Sequence, residues 1–227
     1  LMCGWSFGVF DANSQSLFCM VVGMFYRFYG QPEGSFRIAF FELTYYTDLE
    51  TGELLESFEN PYTGATNRVR HVRLGPEIRE LSVSGLMTED NPMIKSYETS
   101  LGPAVLNGDR IWIPASVEAL IKFPKPTAPE ILINIYTTVQ GSLAAATNPD
   151  VISADCTLEF HNVLKWEPWM QMGDRPGHMM STASGRKLGS MDELPASYID
   201  MARQIHGKYI ADPVETLRKY SDQILNG

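Results

Sequence analysis

Residues 40–76, FFELTYYTDLETGELLESFENPYTGATNRVRHVRLGP, hold the densest set of groups in this chain that could move a proton. If residues 35–48 form a strand, alternate side chains share a face. Phe36, Ile38, Phe40, Glu42, Thr44 and Tyr46 then lie on one side, and Arg37, Ala39, Phe41, Leu43 and Tyr45 on the other. Both sides are largely apolar, which predicts a strand covered on both faces. Glu42 among aromatic rings must be paired with an arginine of a neighbouring strand or have a raised pKa. A raised carboxyl is what acid–base chemistry near neutrality needs. Residues 67–74 add a second set: Val69, His71 and Arg73 on one face, Arg68, Arg70 and Val72 on the other. His71 is the proton-shuttle candidate, with a satisfied structural histidine as the alternative. The expected roles are proton exchange by Glu42 or His71. Tyr46 and Arg70 or Arg73 would stabilise developing negative charge.

A second concentration is residues 161–187, HNVLKWEPWMQMGDRPGHMMSTASGRK. Aromatic and methionine-rich segments suit a flexible apolar ligand, or else plug one end of a barrel as core. Trp166, Trp169 and Met170 are expected to wall a substrate, with Asn60, Tyr62, His161 and His178 as further contacts. Residues 152–164 alternate cleanly. Ile152, Ala154, Cys156, Leu158 and Phe160 form an apolar face, and Asp155, Thr157, Glu159 and His161 a polar one that is either solvated or lumenal.

Several chemistries lack their signatures: there is no GxGxxG, Walker loop or HExxH. Gly4-Trp5-Ser6-Phe7-Gly8 matches GxSxG by letters only, because a strand pattern runs through it where a nucleophile elbow needs a strand-to-helix turn. No metal site is read from the spacing of the four histidines, and no organic cofactor is expected. The net charge of −9 and pI of about 4.9 argue against binding to a phosphate backbone. No segment is long enough for a membrane-spanning helix. Three cysteines without a CxxC pair argue against a disulfide framework and leave room for one structural bridge. The opening at Leu1 reads as truncated or processed, with a cytoplasmic or periplasmic home.

The elements that must position these groups are mostly strands. Segments 5–10, 17–28, 35–48, 54–58, 67–74, 78–86, 94–100, 109–114, 130–140, 152–164 and 178–183 have strand character, bounded by Gly, Pro, Asn or Asp. Segments 35–48, 54–58 and 67–74 read as a meander. There is no βαβ alternation. The prediction is mainly β: a single antiparallel β-barrel of about ten strands over residues 1–190. Residues 195–206 and 214–225 have helical spacing and form a C-terminal extension, 191–227, packed on the barrel within the same domain. Residues 123–130, FPKPTAPE, read as a loop. Surplus apolar strand faces would be covered in a homodimer.

Glu42, Tyr46, Asp48, Thr51, Gly52 and Glu53, then Asn60, Pro61, Thr63 and Gly64, then Val69, His71 and Val72, together with residues 168–177, PWMQMGDRPG, resemble the motifs of a bacterial family catalogued as domain of unknown function 1838. The resemblance covers most of the chain outside 91–150. It differs after His71, where Arg73-Leu74-Gly75-Pro76 replaces the Asn-Asp-Pro-Val-like run of family members. It implies a β-rich fold with Glu42, Asn60 and His71 as a cluster. The functional expectation is a cofactor-independent lyase, isomerase or cyclase acting on a hydrophobic small molecule. The alternatives are a lipocalin-like binding protein and a structural module whose polar residues only bridge strands.

Overall fold

The computed structural model describes residues 1–30, 35–82, 85–88, 94–122 and 130–226. Thirteen strands are found among them: β1 (Met2–Phe10), β2 (Asn13–Gly30), β3 (Phe36–Thr47), β4 (Ser57–Glu59), β5 (Thr66–Arg68), β6 (Val72–Ser82), β7 (Gly85–Thr88), β8 (Ile94–Leu101), β9 (Val105–Asn107), β10 (Arg110–Ile121), β11 (Ile131–Ser142), β12 (Cys156–Leu164) and β13 (His178–Arg186). The helices are α1 (Leu143–Thr147), α2 (Ala196–Ile210) and α3 (Pro213–Asn226). Most of the Pro-rich stretch, residues 123–129, lies outside the described residues.

The fold class is the expected one, mainly β and antiparallel. The hydrogen-bonded order is β7-β6-β3-β2-β1-β13-β12-β11-β10-β8, with short β9 on β10. This is a meander whose first and last strands, β1 and β13, pair through Met2↔Gly185 to Val9↔His178. The sheet is strongly curled into a half-barrel. One buried cluster joins Tyr46 of β3 to Ile131 of β11 and Leu164 of β12, strands far apart in the order. Tyr97 of β8 feels the charges of Arg79 and Glu77 on β6, near the opposite end of the sheet.

The meander predicted for 35–74 is different in detail. The strand beside β3 is β6, from Phe36↔Leu81 to Thr44↔Val72. Residues 54–58 keep only a bridge from Leu54 to Thr47, and β4 and β5 form a separate ribbon. The break at 69–71 has a packing cause. Val69 and Phe58 are drawn into the interior cluster, so the ribbon folds over one end of the sheet instead of extending it. The strand predicted for 152–164 likewise begins only at Cys156, which leaves Ile152 and Asp155 exposed outside it.

As predicted, β3 is covered on both faces. Ala39, Phe41, Leu43 and Tyr45 are fully buried against Tyr198, Ala202, Ile210 and Leu217 of α2 and α3. The contact is close because β2 has a glycine there. A Cβ on Gly23 would stand 2.0 Å from the Tyr198 hydroxyl, which donates to the Leu43 carbonyl at 3.2 Å. The helices thus cover the convex face of β2, β3 and β6 and form one bent unit with a non-helical His206.

Candidate active site

Register assigns the concave face without ambiguity, since directly paired residues point to the same side. Met20↔Tyr46, Val22↔Thr44, Met24↔Glu42, Tyr26↔Phe40 and Phe28↔Ile38 form inward pairs. Ser6↔Ser181 and Gly4↔Ala183 continue them across β1 and β13. Ser6 is fully buried, 2.9 Å from Ser181 Oγ, so the GxSxG letters lie within a strand, as expected.

One end of the cup is solid. Phe18, Tyr46, Phe58, Val69, Trp166, Trp169, Met170 and Met172 interlock there. Ring centroids of Phe18 and Tyr46 are 4.7 Å apart, and those of Tyr62 and Trp166 are 5.2 Å apart. Asn60 fastens this plug. Its amide donates to the Met170 carbonyl at 2.9 Å, and its Oδ1 accepts the Tyr62 N–H at 3.0 Å. Asn60, Tyr62, Trp166, Trp169 and Met170 therefore form a packed cap at one end of the cup. His178 is half-buried at the start of β13, and His161 is exposed on the polar outer face of β12.

Toward the opposite end the inward residues are less buried. Tyr26, Phe28 and Phe36 point inward by register, yet are 42%, 54% and 43% exposed. They form a ladder with Phe40. Centroids are 4.9 Å apart for Tyr26–Phe40, 5.9 Å for Tyr26–Phe28 and 6.4 Å for Phe28–Phe36. These inward rings form an apolar patch in contact with solvent rather than a closed core.

Between plug and opening lie the ionisable groups. Glu42 Oε1 accepts from Thr44 Oγ1 at 2.8 Å. Burial raises its pKa, and the Thr44 bond and the positive charge of Arg79 only partly offset this. Next to it, β6 carries a bulge: residues 75 and 76 face Phe41 alone, between the pairs Phe40↔Glu77 and Glu42↔Leu74. Gly75 is needed there, with φ at 69° and any Cβ only 2.7 Å from the Phe40 carbonyl oxygen. Past the bulge, Arg79 lies 3.6 Å above the Phe40 ring and pairs with Glu77 at 2.6 Å. Deeper, Tyr46 donates to Glu167 at 3.0 Å. Burial raises both partners, and for Tyr46 the Glu167 charge adds to the effect.

His71 is placed differently from Glu42. Its Nδ1 accepts the Tyr46 N–H at 3.2 Å, and its ring also hydrogen-bonds the Leu55 backbone. Burial and the nearby His206 lower its pKa to about 4, against the opposing pull of the Leu55 bond. A neutral ring bonded to backbone on both sides is a staple between β3 and the 53–56 segment. Arg73 points to the convex side, over the Tyr209 ring at 5.1 Å, and Arg70 is exposed. The cation brought near Glu42 is Arg79. It belongs to the strand that sequence periodicity placed elsewhere.

Glu167, Glu77, Arg79, Tyr26 and Tyr97 thus join the site without having been anticipated. The alternation Met24-x-Tyr26-x-Phe28 was visible, as was Glu77-x-Arg79. Both become informative only when β6 is paired with β3. Among the described residues, no three His, Cys, Asp or Glu side chains gather as metal ligands, and no helix is long and apolar enough to cross a membrane.

The fold and site define a curled-sheet protein with one end capped by aromatic core, the other open, and a desolvated carboxyl between them. The chain belongs to the family described as protein of unknown function (DUF1838), whose match covers residues 4–100 and 133–222. No curated protein and no solved structure matches it.

Proposed function

We propose that the open half of the cup binds an apolar small molecule and that Glu42 exchanges a proton with it, in a reaction of the lyase, isomerase or cyclase class. The supporting observation is Glu42 itself, a carboxyl with a raised pKa on the same face as inward rings that remain solvent-exposed. A structural carboxylate would be expected to gain a close cationic partner. Here the nearest hydrogen-bond donor is a threonine hydroxyl, and Arg79 is committed to Glu77. With its pKa raised by burial, Glu42 is suited to protonate a carbonyl or alkene and take the proton back from a neighbouring carbon. The wall of Phe40, Tyr26 and Phe28 would hold a flexible substrate in a reactive shape and exclude water around the transferring proton.

The test is incubation of metabolite extracts with wild-type protein and Glu42→Gln, followed by mass spectrometry. A mass-neutral conversion or an elimination present with wild type and lost with the variant supports the reading. Equal conversion by both removes Glu42 from the chemistry. A compound retained by both and converted by neither makes the protein a carrier.

A further inference from the structure

The charges on the concave face make the proposal above more specific. At inward positions, β10 presents Ile113, Ala115, Val117 and Ala119, and β11 presents Ile133, Ile135, Thr137 and Val139. The inward residues of β1, β12 and β13 are also uncharged. In a chain of net charge −9, the inward ionisable groups of this half come down, among the described residues, to Glu42, the Glu77–Arg79 pair and the phenols of Tyr26 and Tyr97. Glu77 Oε1 is 2.6 Å from both Nε and Nη2 of Arg79, and the guanidinium is stacked on Phe40. This cation is already neutralised and held in place. Lys95 of β8 is likewise taken, by Glu130 at 3.0 Å.

We infer that the cleft selects an uncharged ligand, an aromatic or conjugated hydrocarbon skeleton tipped by one carbonyl or hydroxyl group directed at Glu42, and rejects the corresponding carboxylate. The inference rests on the open half being a binding cleft. An anionic ligand would lose its hydration and gain no free cation among the described residues, next to a carboxyl that is already desolvated. A cationic ligand would have to pair with the charged form of Glu42, which burial disfavours, and bury both charges on a single contact. A neutral acceptor costs least, because it needs no counter-charge and meets the phenols of Tyr97 and of Tyr26, whose hydroxyl otherwise turns to Met24 Sδ at 3.0 Å. The burial that raises Glu42 acts in the same direction.

Three probes of one shape separate the cases: 2-acetylnaphthalene, 2-naphthoate and 2-(aminomethyl)naphthalene, titrated into the full chain at neutral pH and followed by ligand-observed NMR. The expected result is binding of the ketone at least about tenfold tighter than either ion, about 1.4 kcal/mol, weakened by Phe28→Ala. Glu77→Gln, an isosteric change that leaves Arg79 without its counter-charge, is expected to improve naphthoate relative to ketone by about tenfold. Naphthoate or the amine binding as tightly as the ketone, with Phe28→Ala still weakening all three, overturns the charge selection and leaves the cleft standing. An unchanged naphthoate-to-ketone ratio in Glu77→Gln, with the variant folded by circular dichroism, overturns the role given to the pair. Binding of no probe, or binding indifferent to Phe28→Ala, overturns the cleft and this inference with it.

Discussion

The two faces of β3 solve different problems with the same twelve residues. On the convex face, Ala39, Phe41, Leu43 and Tyr45 lie under α2 and α3 with no exposed surface. Two buried hydroxyls there have partners, with Tyr45 hydroxyl 3.0 Å from His206 Nδ1 and Tyr198 bonded to Leu43. On the concave face, Phe40 and Tyr46 are equally buried, but Glu42 and Thr44 between them form a polar pair within an apolar wall. The convex face contributes burial free energy. The concave face gives part of it up to hold a carboxyl out of water. The contrast teaches where stability and chemistry separate in this fold, and it can be broken by substitutions made one residue apart.

The largest effect is expected at Phe41→Ala. Truncating a fully buried phenylalanine costs about 3–5 kcal/mol, read as a lower denaturant midpoint. A loss below about 1 kcal/mol would mean that the helices do not seal this face. Next comes Glu42→Gln, one position along. Activity is expected to fall about 100-fold or more, while the denaturant midpoint stays equal or rises, because a desolvated acid is replaced by a neutral amide. A stability loss as large as that of Phe41→Ala would make Glu42 a structural residue. Smaller is Gly23→Ala, whose Cβ would displace the Tyr198 hydroxyl and cost about 1–3 kcal/mol.

Much of this division could be read from residue types. The two apolar faces of residues 36–47 follow from alternation, and their burial on both sides is observed. Glu42 was identifiable because a carboxylate between Phe40 and Thr44 in a doubly covered strand has no cheap environment. The terminal helices show the 3.6-residue period that packs them on the convex face. What could not be read was pairing. Periodicity says which residues share a face of one strand, not which strand lies beside it. Chain order favoured 54–58 as the neighbour of β3, whereas burial of Phe58 and Val69 in the plug removed that ribbon from the sheet. Arg79 therefore replaces Arg70 and Arg73 near Glu42, and His71 becomes a staple. Trp166, Trp169 and Met170 have the composition of either a wall or a plug, and their burial against Phe18, Tyr46 and Phe58, with the Met170 carbonyl bound to Asn60, makes them a packed cap here.

The smallest predicted effects are in pH dependence, and they have opposite signs in the two settings. His71 is depressed when folded, so its contribution to stability is present above its ordinary value of 6.5 and is lost as pH falls toward about 4. His206 has the same sign, because burial and Arg73 lower it. Glu42 and Glu167 are raised when folded, so the state that favours folding is the protonated one, and stability is lost as pH rises above the ordinary 4.5. Denaturant titrations across acid pH should then show a shallower acid-side decline in His71→Gln and a shallower loss on the other side in Glu42→Gln. Identical pH profiles for the two variants would remove the distinction.

The most direct test is the carboxyl carbon resonance of Glu42, assigned by its absence in Glu42→Gln, followed by NMR from about pH 4 to about pH 9, with and without 2-acetylnaphthalene. The expected result is a midpoint above the ordinary glutamate value and a further upward shift when the ketone occupies the cleft. A midpoint at the ordinary value, unmoved by the ketone, would contradict it.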